Sequence, residues 1–153
     1  PGPNVTVPPD STRILAPGSY GALNIASRTK VYLRSGTYYF TSANLEPQAD
    51  VRLNTSAGPV FIYVKDSFTF KGKFVDSSGR HDQVMVGYFG TATSYIETAY
   101  SGTLVAPRAR IELKTVADAH RGSFFAKELE VFARTRVEHH PFVGTWLGGA
   151  AGG

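Results

Sequence analysis

The sequence predicts an all-β chain wound as a right-handed parallel β-helix of about five to six coils. Three observations carry that prediction. Short alternating stretches rich in β-branched and aromatic residues run along the chain, such as Val31 and Leu33, Val51 and Leu53, and Phe68 and Phe70. A glycine returns between a polar stretch and an apolar one, at positions 36, 58, 79, 102 and 122. That spacing of 20 to 23 residues is the period of a solenoid, in which each repeat buries its apolar face against the next. Finally, no Asn-Gly or Asp-Gly pair marks a β-hairpin. A sandwich or jelly roll also has short strands, but it does not call for a corner at a constant interval.

The elements follow in order. Residues 1–12, PGPNVTVPPDST, read as a Pro-rich linker, because proline fixes φ and removes a donor. The β-helix domain spans 13–147. Its first coil opens at LAPGSYGALNI, where Leu23 and Ile25 alternate. The expected inward residues include Leu33, Leu53, Val105 and Leu113. In SFFAKELEVFAR, Phe125, Leu129 and Phe132 have helical spacing. Aligned with the previous coil, however, Ser123–Ala126 matches Thr103–Ala106, so a strand is predicted there. An end coil needs a cover for its open edge. The stretch from His140 to Leu147, with the single Trp146, supplies apolar residues for that role. Residues 148–153 read as a Gly-rich flexible tail. Linker-like ends suggest a module of a larger parent protein.

Composition narrows the function classes. The chain has 153 residues, 42% hydrophobic and 18% charged, which suits one domain with a real core. No apolar run approaches the roughly 20 residues that span a bilayer, so no membrane insertion is expected. The absence of cysteine removes disulfides, thiol catalysis and Cys-ligated zinc. The net charge of +4 is read either as ordinary solubility or as a preference for an anionic partner.

The elements Pro17–Gly21, Ser35–Phe40, Gly58–Val64, Gly102–Leu113 and Gly122–Val131 form a pattern: PGxYG, SGTYYF, GPVxIYV, GTLxAPxAxVxL and GxxxAKxLxV. Over about residues 14–142 the chain resembles bacterial extracytoplasmic β-solenoid domains of polymer-forming or choice-of-anchor-type surface proteins and pilus-associated proteins. The resemblance implies a non-catalytic module, extracellular or at the cell surface. KTVADAHRGS departs from the short Gly/Asn turns of that pattern, being longer and more basic.

Candidate chemistry divides into catalysis and binding. The histidines, His81, His120, His139 and His140, have no H-x-H or HExxH spacing, and Asp66, Asp76 and Asp82 are scattered. No metal or other cofactor is predicted. A hydrolase needs two facing carboxylates, for which Glu112 with Glu130, or Glu97 with Glu112, are the candidates. A lyase of acidic polysaccharide needs a base and a cation, for which His120 and Arg121 are candidates, with Lys114 or Lys127 nearby. The same His–Arg corner also reads as a solvated turn.

Binding has the fuller residue support. Across 108–136, seven basic residues face four acidic ones. The candidate ligand-binding residues are Arg108, Arg110, Lys114, His120, Arg121, Lys127, Arg134 and Arg136. As i, i+2 pairs, Arg108/Arg110 and Arg134/Arg136 would each share a strand face and build a guanidinium ladder for carboxylate or sulfate. Against this stands a solvated face balanced by glutamates. Tyr38, Tyr63 and Tyr88 form a second candidate surface, a platform for sugar rings; the alternative is stacking that only stabilises the coils. The sequence thus favours a secreted or cell-surface module that binds a polysaccharide or cell-surface polymer, whether neutral or anionic, or acts in adhesion. The alternative is a lyase or glycoside hydrolase of acidic polysaccharide on the same scaffold. Nucleic acid is disfavoured, because no recognition motif accompanies the charge.

Overall fold

A computed structural model describes residues 2–76 and 83–141. Every strand pairing in it is parallel, and the chain is a β-solenoid. One residue position shows how the coils stack. Val7, Ile25, Leu45, Phe70, Ile96, Leu113 and Val131 are joined in register rung by rung, so about six turns separate the first from the last.

Three sides make up each full coil. The first is built from β3 (Gly18–Ser19), the leading half of β6 (Gly36–Leu45) and of β8 (Val60–Phe70), and β10 (Val84–Tyr88). It continues through the leading halves of β12 (Ser101–Leu113) and β13 (Ala119–Val131), and closes with β14 (Arg136–His139). The second side holds β1 (Val5–Val7), β4 (Ala22–Ile25), β11 (Ser94–Ile96) and the trailing halves of β6, β8, β12 and β13. The long strands shift register between Phe40 and Ser42 and between Ala106 and Arg110, where the chain turns from the first side to the second. The third side is a separate four-stranded sheet of β2 (Thr12–Leu15), β5 (Thr29–Arg34), β7 (Ala49–Asn54) and β9 (Lys73–Asp76).

Alternation puts every second side chain inside. In β5 the burial alternates strictly, with Thr29, Val31 and Leu33 inward and Lys30, Tyr32 and Arg34 outward. Val31, Val51 and Phe74 stack from coil to coil, as do Leu15, Leu33 and Leu53. Like residues meet because the coils lie one strand spacing apart, about 4.8 Å. The segment SFFAKELEV is strand, and Ser123–Ala126 pairs with Thr103–Ala106 as its alignment predicts. Tertiary pairing overrides the helical spacing there.

Two expectations change. Val105 faces outward and Leu104 fills the core instead, a one-residue difference in phase that exchanges the two faces. Residues 1–12 are not merely a linker, since Val5 and Val7 are buried and pair with Leu23 and Ile25. Gly79, Trp146 and the Gly-rich tail lie outside the described residues.

Candidate functional site

Tyr38 and Tyr88 do not form an outer platform. Both are fully buried, because Tyr38 shares its phase with Phe40, and Tyr88 with Val84 and Val86. Their hydroxyls pin the corners from within. The Tyr38 hydroxyl accepts from the Arg34 amide at 3.0 Å and lies 3.0 Å from the Arg34 carbonyl and 3.2 Å from that of Leu15. The Tyr88 hydroxyl donates to the Ala92 carbonyl at 2.8 Å. Burial raises both phenols above their ordinary pKa.

The outward position belongs to Tyr39, whose partners in register are Ser19 below and Tyr63 above. Tyr39 is 48% exposed and stacks on Tyr63 at 5.4 Å between ring centroids. Tyr63 stacks in turn on Phe89 at 6.1 Å and on Phe61 at 6.4 Å. The residue above Tyr63 is Gly87, where an added Cβ would lie 2.8 Å from the Tyr63 ring and 3.2 Å from Phe89. That missing side chain is what lets the two rings meet. Burial, with the Tyr39 hydroxyl close by, raises the Tyr63 phenol.

Rings stacked along the axis occupy each other's faces. Ser19 is small and exposed, and among the described residues no ring covers the face of Tyr39 turned toward it. A trough of about 560 Å³ runs beside the ladder, lined by Ser19, Tyr20, Tyr39, Tyr63, Lys65 and Phe89 among others. It is open, mostly apolar and of ligand size. The sequence signal for Tyr39 was present: in Tyr38-Tyr39-Phe40, Phe40 and Tyr38 share one phase, which leaves Tyr39 to the other.

The basic residues of the last third are engaged elsewhere. Arg110 contacts Glu112 at 3.1 Å, Glu128 at 3.2 Å and Glu130 at 2.7 Å. Lys114 contacts Glu112 at 3.0 Å and lies 3.9 Å from the Phe132 ring centroid. Hydrogen bonds from Lys114 and Arg110 hold the Glu112 carboxyl below its usual range. Arg121 grips Asp118 through two nitrogens and also meets Glu138, which Arg136 contacts as well. Arg134 sits at φ 60°, in a turn before β14, so it is not a strand partner of Arg136. Arg108 lies within the register shift between Ala106 and Arg110 and reaches the Phe89 carbonyl at 3.4 Å. Lys127 is exposed. The predicted guanidinium ladder is therefore replaced by a mixed ion-pair face. Its acids come mainly from the adjacent coil, which linear spacing did not reveal.

Nor is the His120–Arg121 corner a solvated turn. His120 is fully buried, accepts from the Tyr100 amide through Nδ1 at 3.2 Å, and has its Nε2 2.8 Å from the Lys114 carbonyl. With both nitrogens engaged inside the coil, it has no access to a substrate. Glu112 and Glu130 do lie in register, but Arg110 bridges them. A carboxyl held ionised, as Glu112 is, suits general-acid work poorly. Among the described residues, no group of three or more His, Asp or Glu is placed to hold a metal ion; His81 and Asp82 lie outside them. No described helix is long and apolar enough to cross a membrane.

Comparison with protein-family models, with curated proteins and with solved structures finds no match to this chain.

Proposed function

We propose that the domain is a non-catalytic module of the cell surface or extracellular space that binds a polysaccharide. The observation that carries this reading is the outward Tyr39–Tyr63–Phe89 ladder beside its trough. A sugar ring has an apolar CH face and a hydroxyl rim. The uncovered face of Tyr39 above Ser19 offers a seat for the first, and the Tyr39 and Tyr63 hydroxyls with Lys65 offer partners for the second. Seated there, the sugar would extend the stack by one ring. The chain would then run along the solenoid axis, passing each coil at about 4.8 Å per rung. The surface-module resemblance of the sequence supports the same reading.

The test is an array of neutral and acidic oligosaccharides, followed by titration of the best binder. Tyr39→Ala and Ser19→Trp, the second of which fills the seat, should each weaken binding about tenfold or more. Because both positions face outward, the thermal midpoint should hardly move. Unchanged affinity in both variants, or release of new reducing ends from the bound glycan, would overturn the proposal.

A further inference from the structure

A second trough, of about 580 Å³, lies on the third side, away from the aromatic ladder. Its walls are two outward columns. Ile14, Tyr32, Arg52 and Val75 form one, joined in register, and Arg34 and Asn54 belong to the other. Its floor is the line of Leu15, Leu33 and Leu53. Ile14 is 78% exposed and, with Tyr32 and Val75, gives the trough an apolar wall.

The charge here differs from that of four other arginines, while Arg13, Arg108 and Arg134, like Arg34, show no ion pair among the described residues. Arg28, Arg110, Arg121 and Arg136 each have a carboxylate within 3.3 Å. Arg34 makes no ion pair among the described residues. Arg52 has only Asp50, at 3.7 Å, and its Nε is buried without a hydrogen-bond partner. Asp50 itself stands in register between Lys30 and Lys73, in a different column. No acidic side chain lines the trough. Arg34 and Arg52, on adjacent coils, therefore line one channel whose described lining holds no carboxylate, with Arg52 met only by Asp50 at 3.7 Å.

We infer that this trough binds a uronate-containing oligosaccharide, with a sugar carboxylate held between Arg34 and Arg52 and the ring lying against Ile14 and Tyr32. A guanidinium matches a planar carboxylate through paired N–H donors. One carboxylate per ring suits two cations on neighbouring rungs, whereas a densely sulfated chain would bring more charge than the site answers. This inference rests on the reading of the domain as a polysaccharide-binding module, but it concerns a different face and different residues.

Titration with trigalacturonate, and with maltotriose as the neutral counterpart, tests it. The intact domain should bind trigalacturonate at least tenfold more tightly than maltotriose through this face, with affinity falling as salt rises. Arg34→Gln together with Arg52→Gln should remove that preference, while Lys71→Gln, which removes a cation outside the trough, leaves it in place. The milder Ile14→Ser should weaken the same binding severalfold without touching charge. Retention of the preference in the double variant overturns the inference, as does its loss in Lys71→Gln alone. So does an intact domain that does not prefer trigalacturonate. A thermal midpoint within a few degrees of the parent shows that each variant is folded.

Discussion

His120 is a basic group enclosed by the coil, between the Tyr100 amide and the Lys114 carbonyl, with the Phe124 ring edge-on at 6.4 Å. Burial holds its pKa below the ordinary value, against the opposing pull of the Lys114 carbonyl. The sign of the pH effect follows. Above the ordinary histidine value of about 6.5 the ring is neutral in both folded and unfolded chains. As pH falls through that value the unfolded chain gains a proton that the native one does not, so stability declines until the native pKa is reached. The decline is at most about 1.4 kcal/mol per pH unit for one such group. Urea unfolding at pH 7.5 and 5.5 should show the native chain losing more stability than His120→Asn does, since the amide keeps a donor and an acceptor but does not titrate. Equal losses would mean that His120 does not set the acid sensitivity.

At the scale of the strand, corners and ladders obey different constraints. Gly122 has φ 143°, and a Cβ there would lie 1.7 Å from the Gly102 carbonyl oxygen of the coil below. Gly58 has nearly the same φ, 139°, but nothing within 4 Å of the added atom. Gly122→Ala meets backbone as well as conformational strain, so it should cost well over the roughly 1 kcal/mol expected of Gly58→Ala. Chemical denaturation of the two variants measures the difference. The glycines were legible in the sequence, and so were the strands they bound. Their alignment was less so. Gly102 pairs with Gly122, yet Gly36 pairs with Val60 rather than Gly58. Corner length varies from coil to coil, and a repeat counted along the chain cannot follow it. Phase was readable where a residue such as Phe40 fixed it, but not at Leu104-Val105, where both neighbours are apolar. Ion pairs were the least legible, because Glu128 and Glu130 reach Arg110 only after a full turn of the coil.

Over the whole molecule, stability is a sum over stacked coils, each supported by its neighbours. Among the described residues, the last coil has a neighbour on one side only along most of its second side. Leu129 and Val131 take the same inward phase as Ile111 and Leu113 below them, yet they are 44% and 45% exposed, while Ile111 is 1% exposed. Ile111→Ala opens a cavity between filled rungs and should cost about 2–5 kcal/mol. Leu129→Ala, at the open end, should cost under about 1 kcal/mol. A comparison of the two by urea denaturation checks whether the coils share load as described; similar losses would mean that the end is covered.

The third side has strands on only four rungs among the described residues, ending with Asp76, whereas the second side carries a rung up to Val131. Four rungs at about 4.8 Å leave about 14 Å from the first to the last. In the inferred complex the Arg34–Arg52 trough would be a ruler as well as a seat. An oligosaccharide that fills those rungs would meet every strand contact this face offers among the described residues. Selection by chain length would then follow the number of coils that complete a third side, and adding or deleting one such coil would reset the length that is read.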